Sequence, residues 1–281
     1  MSMKQPNGFR VVVTGKGGVG KTTLTACLSR LLSERGINVL AADEDPQMNL
    51  PYALGLPLEK AAAIVPLNRN HDYIEEKTGV RPGKSFGSMF RLNPRVDDVV
   101  KRFGVQVDEN LNLLVMGTVV QAAAGCLCSE NVLLDSVMSH LSLREGEAIL
   151  LDTQAGVEHF GRALAEGFSQ CLVVTDTSFN ALAVARHAAE LARQSGIGRI
   201  HLVVNRRKED GSRKLTELLE LTGTDLSNLF DGVHSLPLEP RFEELEPNVT
   251  RILQEESGYV SGLIAIAEEM LAFENDRGNA S

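Results

Sequence analysis

No run of apolar residues in the sequence approaches the ~20 that a membrane-spanning helix requires. Nothing near its first residues joins a basic stretch to an apolar one, as an export signal does. Positive charge is in deficit: 28 Lys+Arg stand against 37 Asp+Glu, a formal net charge of −9. That balance argues against a nucleic-acid surface, which needs a net basic face to meet phosphate. Cysteine is scarce, 4 in 281 residues, and two of the four are close together, unlike the framework of a secreted disulfide scaffold. No internal repeat is visible, and no linker splits the chain. The expectation is a cytoplasmic protein folded as one domain over residues 1–281, with neither membrane nor nucleic acid as partner. Its 43% hydrophobic and 23% charged residues are ordinary for a globular chain that buries a large core.

Against those absences one stretch stands out, Gly15-Lys16-Gly17-Gly18-Val19-Gly20-Lys21-Thr22-Thr23. It follows the apolar run Val11-Val12-Val13 and opens an amphipathic helix with Leu24, Cys27, Leu28, Leu31 and Leu32 on one stripe, ended by Gly36. Glycines let successive N–H groups turn inward toward phosphate oxygens, and the helix start adds a fixed partial positive charge there. Lys21 is placed for the β- and γ-phosphates, and the Thr22 hydroxyl for Mg²⁺. The stretch is a phosphate-binding loop, and the chain is expected to bind a nucleoside triphosphate. Lys16 is unusual: directly after the first glycine, it can hardly turn back onto phosphates that Lys21 already holds.

Strand and helix patterns alternate through the rest. Val39-Leu40-Ala41-Ala42 leads into Asp43-Glu44-Asp45-Pro46, and Ala148-Ile149-Leu150-Leu151 into Asp152. Carboxylates leaving the carboxyl ends of strands in an open α/β sheet sit in the ligand crevice, so these acids are expected near Mg²⁺ and the γ-phosphate, with Gly156 in a loop that senses that phosphate. Further strands are expected at Leu111–Met116, Cys171–Val174, Ile200–Val204 and near Val233–Leu236. Helices are expected beside Leu134–Leu141, from Ser178 to Ser195, and from about Ser257 to Phe273. The predicted class is α/β, a doubly wound, mostly parallel sheet flanked by helices, as in P-loop NTPases. Residues 57–102 show no clear period and are expected to be an irregular, mobile or functional segment. Cys27 and Cys171 fall on core positions. The cluster Arg206, Arg207, Lys208, Arg213 and Lys214 reads more simply as a solvated face than as a binding patch.

Cys126-Leu127-Cys128 separates this chain from a generic ATPase. Two thiols one residue apart in a loop can turn to the same side and offer two thiolates to Zn²⁺ or Ni²⁺. Two ligands do not complete a site, and a two-fold homodimer with the loop on its axis is the simplest way to reach four. An incidental pair or a redox disulfide are the alternatives.

With these residues in place the chain resembles the maturation ATPases that insert nickel into carbon monoxide dehydrogenase or acetyl-CoA synthase, the CooC type. That group lies in the nitrogenase-reductase and MinD class, whose phosphate loop carries a second lysine. The resemblance rests on Gly15 to Thr23, Asp43 to Pro46, Gly125 to Cys128, Asp152 with Ala155-Gly156-Val157-Glu158-His159, and Val203 to Arg206. It implies an ATP-hydrolysing homodimer that delivers nickel to such a client enzyme. It further implies that Lys16 crosses the dimer to phosphate, and that Lys21 and Thr22 hold phosphate and Mg²⁺. Asp45 is implied to orient or activate the attacking water, with Asp43 and Asp152 supporting the Mg²⁺ shell. Asn205 would recognise adenine with Arg206 beside it, and Cys126 and Cys128 would bind Ni²⁺ or Zn²⁺. Glu44 departs from the family's frequent glycine, and Thr175-Asp176-Thr177 lacks its frequent proline. Electron transfer of the nitrogenase-reductase type is a second reading, but Thr153-Gln154-Ala155-Gly156 stands where the second cluster cysteine should lie. A MinD-like spatial regulator is a third, but the stretch from Glu268 to Asp276 is acidic and unsuited to an anionic membrane.

Overall fold

The computed structural model describes residues 6–82, 91, 94–117, 129–141, 143–157, 167–208 and 226–280. Eight strands form one sheet in the order β3-β4-β2-β5-β1-β6-β7-β8. They are β1 (Phe9–Gly15), β2 (Asn38–Asp43), β3 (Val105–Asp108), β4 (Leu111–Val115), β5 (Glu147–Asp152), β6 (Gln170–Thr175), β7 (Arg199–Arg207) and β8 (Gly232–Pro237). Every pairing is parallel except that of β3 with β4. The doubly wound class is therefore the observed one. The near-continuous apolar runs Val11-Val12-Val13, Ile149-Leu150-Leu151 and Leu172-Val173-Val174 follow from burial of these strands on both faces.

Among the described residues the α-helices are α1 (Lys21–Glu34), α2 (Leu50–Ala53), α3 (Leu58–Ala62), α4 (His71–Thr78), α5 (Val99–Phe103), α6 (Ser129–His140), α7 (Phe179–Gln194), α8 (Leu226–Leu229), α9 (Phe242–Leu245) and α10 (Gly258–Ala280). The stripes of α1 and α10 pack on one face of the sheet, where Leu24, Leu28, Leu32, Leu263 and Ile266 are fully buried with Val11 and Val13. On the other face α6 and α7 bury Leu133, Val137, Ala185 and Ala189 with Val12 and Ile149. Truncating one such leucine to alanine costs about 2–5 kcal/mol. Gly36 ends α1 with a left-handed φ of 82°, and the Ser178 hydroxyl accepts the Ala181 N–H at the start of α7.

Several expectations shift. Leu58–Ala62, inside the stretch without a clear period, forms α3. The last helix continues past Phe273 to Ala280. Residues 57–103 contain α3, α4 and α5, and α4 is joined to α5 where Asp98 meets Lys77 at 2.7 Å, Tyr73 Oη at 3.1 Å and Arg102 at 3.2 Å. β3 has no counterpart in the sequence reading, since four residues with an exposed alternate face carry little signal. Cys27 and Cys171 are buried core thiols, and burial pushes both up, out of the reactive range. Among the described residues no helix is long and apolar enough to cross a membrane.

Candidate functional site

The register of the central strands brings the motifs together. β1 lies between β5 and β6, with Val13 beside Asp152 and Gly15 beside Val174. β2 pairs with β5 so that Asp43 sits beside Asp152. The phosphate loop and both strand-end acids thus leave the same edge of the sheet.

The loop is shaped by its glycines and braced from β7. Gly20 precedes α1 with φ 99°, and a Cβ there would lie 2.4 Å from Asn205 Nδ2, so neither the conformation nor the space admits a side chain. Asn205 Nδ2 donates to the Val19 carbonyl at 2.8 Å. Its Oδ1 accepts the Arg206 N–H at 2.9 Å. Arg206 holds a left-handed φ of 53° and donates from its guanidinium to the Gly18 carbonyl at 2.8 Å. An amide has two donor hydrogens and two acceptor lone pairs, so Asn205 retains one of each. It lines a cavity of about 400 Å³ with Thr23, Arg206, Pro237, Phe242 and Tyr259, a size and mixed lining suited to a nucleoside. Pro237 and Phe242 were not anticipated; the signal is that Pro237 ends a strand and Phe242 lies shortly after it.

The acidic side is compact. Lys21 is buried and donates to the Lys16 carbonyl at 3.3 Å. Burial lowers its pKa, and the nearby Asp152 and Asp45 carboxylates oppose that. The Thr22 hydroxyl donates to Asp152 at 2.7 Å. The Thr25 hydroxyl, not singled out in the sequence, donates to the Lys21 carbonyl at 3.0 Å and lies 3.5 Å from Asp152. Burial pushes the Asp152 carboxyl up to about 7, although Thr22, Lys21 and Thr25 pull it down. Asp43 is fully buried, and burial followed by the Asp152 charge holds its carboxyl well above the usual range. Its oxygens accept the Asp45 N–H at 2.9 Å and the Leu50 N–H at 3.1 Å, so it shapes the chain leaving β2. Glu44 is buried, and its N–H donates to the Asp152 carbonyl at 3.0 Å. Asp45 is half-buried and accepts the Gln47 N–H at 2.8 Å.

Two buried carboxyls with raised pKa values, a hydroxyl and a half-buried third acid make a site short of positive charge. The donors are all oxygen, the chemistry of a hard cation such as Mg²⁺.

The segment after β5 is joined to the loop. Gly156 N–H donates to the Gly15 carbonyl at 3.3 Å, and the Thr14 hydroxyl donates back to the Gly156 carbonyl at 3.3 Å. The Thr153 hydroxyl donates to the Val13 carbonyl at 2.8 Å. Lys16 is half-buried at the start of the loop, and Gly17 and Gly18 are exposed. Cys126, Cys128, Glu158, His159, Arg213 and Lys214 lie outside the described residues.

Residues 10–244 match the model of the CobQ/CobB/MinD/ParA nucleotide binding domain. The carbon monoxide dehydrogenase accessory protein CooC of Rhodospirillum rubrum is 39% identical over 70% of this chain and 74% of its own length. An uncharacterized ATP-binding protein of Methanocaldococcus jannaschii is 37% identical over 75% of this chain and 80% of its own. Among solved structures, the septum site-determining protein MinD of Pyrococcus horikoshii, complexed with Mg-ADP, is 22% identical with a TM-score of 0.62, covering 94% of this chain and 96% of that one. Its likeness is one of fold. The matched domain, the extent of the CooC similarity and the phosphate loop with its strand-end acids agree: the chain belongs to the CobQ/CobB/MinD/ParA nucleotide-binding family and, within it, is a CooC-type ATPase.

Proposed function

We propose that this ATPase is a single-domain, dimerising metallochaperone that couples ATP hydrolysis to the delivery of nickel to a carbon monoxide dehydrogenase or acetyl-CoA synthase. The observation that carries the reading is the phosphate loop with two lysines, Lys16 and Lys21, in a chain 39% identical to a carbon monoxide dehydrogenase accessory protein.

Each residue has a distinct part. Gly15 to Gly20 wrap the phosphates with backbone N–H groups, and Lys21 adds charge at the β- and γ-positions. Thr22 and Asp152, with Asp43 behind them, would hold Mg²⁺, which neutralises charge on the phosphate oxygens. Asp45 orients the attacking water. Lys16 reaches the nucleotide of a partner copy. Asn205 and Arg206 face the base side, and Thr23 closes the start of α1 against it. Cys126 and Cys128 of two chains take the nickel as cargo through four thiolates. Phosphoryl transfer depends on positioning and charge neutralisation, so closing two copies over ATP activates hydrolysis and alters the thiolate geometry in one movement.

The test is a Ni²⁺ titration of wild type and a Cys126→Ala, Cys128→Ala protein, with mass followed by light scattering, with and without ATP. The difference between the two proteins should be one ion per two chains, and it should promote dimerisation by linkage. Affinity for that ion should fall as pH falls, because thiolates must be deprotonated. Equal binding by both proteins, or a difference of one ion per chain, would overturn the cysteine assignment.

A further inference from the structure

On the opposite flank from the phosphate loop, three side chains from three elements converge. His201 is near the start of β7, His234 lies on β8 and Glu269 on α10. Nδ1 of His201 is 3.1 Å from Nε2 of His234. Glu269 Oε2 lies 3.4 Å from His234 Nε2, and Glu269 Oε1 lies 3.7 Å from His201 Nδ1. Two ligands about 2.0–2.1 Å from a tetrahedral ion stand ~3.3 Å apart, close to the 3.1 Å between the two imidazoles and the 3.4 Å from His234 to Glu269 Oε2.

The surroundings prepare these atoms. The His201 side chain is 0% exposed, and among the described residues its Nε2 has no hydrogen-bond partner, so the ring's polar contacts there are those of Nδ1. Arg199 donates to Glu269 Oε1 at 2.9 Å and leaves Oε2 toward His234, the outer-shell support that ligating carboxylates commonly have. Burial, then the neighbouring His234, pushes His201 down to about 4. Burial and Arg199 lower His234. Gly232, beside His201 in the sheet, keeps the space open: a Cβ there would lie 2.8 Å from both Glu269 Oε1 and His201 Nδ1. The side chains of His234 and Glu269 are 11% and 34% exposed, so solvent reaches that side of the cluster.

We infer that His201, His234 and Glu269 form a divalent transition-metal site, separate from the nucleotide and from the cysteine pair, with one ion per chain and an open fourth position. Two imidazoles and a carboxylate suit Zn²⁺, Ni²⁺ or Co²⁺ rather than Mg²⁺ or Ca²⁺. A bound ion fastens α10 to the β7–β8 edge. This assignment rests on no part of the nickel-delivery reading.

The experiment uses the full chain with Cys126→Ser and Cys128→Ser, so that the cysteine pair contributes nothing. Co²⁺ is titrated and followed by visible absorption and by stoichiometry, with Zn²⁺ as competitor. One Co²⁺ per chain is expected, with weak d–d bands and no thiolate charge transfer, displaced by Zn²⁺. His234→Ala and Glu269→Gln, both at partly exposed positions, should each weaken binding by more than the roughly 100-fold that loss of an outer-shell partner can cost. Gly232→Ala, which removes no ligand, should weaken it as well. Far-UV circular dichroism selects the variants that fold. No ion on the cysteine-free protein, or one unaffected in whichever of these variants folds, would overturn the site.

Discussion

The two ends of β7 differ in the kind of chemistry they hold. At its carboxyl end Asn205 and Arg206 brace a loop of backbone N–H groups, beside a cluster of oxygen donors from β2, β5 and α1. At its amino end His201 meets one imidazole and one carboxylate from β8 and α10. The first region favours phosphate and a hard cation; the second favours a borderline metal. The difference is also one of construction. The phosphate site is made of backbone positions adjacent in the chain and completed by strand ends. The histidine site is made of single side chains that the β7–β8 register and the packing of α10 bring together. One sheet can therefore carry two ion sites of different selectivity, because its ends expose different groups.

The strongest way to separate the regions is to stop chemistry without touching metal. Asp45→Asn should retain ATP while slowing turnover by about 100-fold or more, the scale of a lost base or orienting group. Lys16→Ala should lose turnover to a similar extent while the isolated monomer still binds nucleotide. Single-turnover hydrolysis alongside equilibrium nucleotide binding distinguishes the two, and full turnover by the Lys16→Ala protein would sink the cross-dimer role. In both variants the histidine site should bind Co²⁺ as wild type does.

Lys21→Ala should weaken nucleotide binding by about 10- to 100-fold, the range of a lost charge-assisted hydrogen bond, measured by calorimetry. Gly20→Ala attacks the same region through the backbone. Its left-handed φ and the approach of Asn205 make the alanine strained by about 1–2 kcal/mol before any ligand is present. Nucleotide affinity and thermal midpoint should fall together, which the Lys21 variant should not do. A Gly20→Ala protein with unchanged affinity would show that the loop rearranges freely.

Asn205→Ala should reduce the preference for ATP over GTP by a few-fold in competition binding, since one donor and one acceptor are removed from the base side. An unchanged preference would assign base reading to another group, with the backbone near Pro237 next in line.

The smallest effect lies outside both regions and serves as their control. Burial alone would raise Asp98, but Lys77, Arg102 and Tyr73 hold its carboxyl down to about 2. A pKa below the unfolded value of about 3.9 means this group stabilises the fold above that pH and loses the contribution as pH falls toward about 2. Asp98→Asn should flatten that part of the acid-unfolding curve and leave both ion sites unchanged at neutral pH. An identical curve would show that the cluster around α4 and α5 does not contribute.

Legibility in the sequence follows the same division. The phosphate loop could be read because its chemistry is set by spacing within one stretch, and Asp43 and Asp152 because each ends an apolar strand. The long strands and α1, α7 and α10 were readable from apolar runs and stripes. β3 was not, because the alternation of a four-residue edge strand is too short to stand out, and α4 was not, because a short polar helix depends on its Asn70 cap and on Tyr73 packing. Asn205 was visible as a strand end, but its brace to Val19 was not. The histidine site left no trace: His201 and His234 are 33 positions apart, and a single histidine in a strand is ordinary.

The interleaved strand order also sets a sequence of events during synthesis. Phe9 pairs with Ala148, and Val11 with Gln170, so the strand that launches the phosphate loop emerges long before either neighbour. Such distant pairings close large loops and are made late. Until β5 and β6 have left the ribosome, the loop has no Asp152 for Thr22 and no Gly156 to bond, and Asn205 arrives later still. Nucleotide therefore has little to hold on a growing chain, and ligand-assisted stabilisation begins only when most of the sheet has been made.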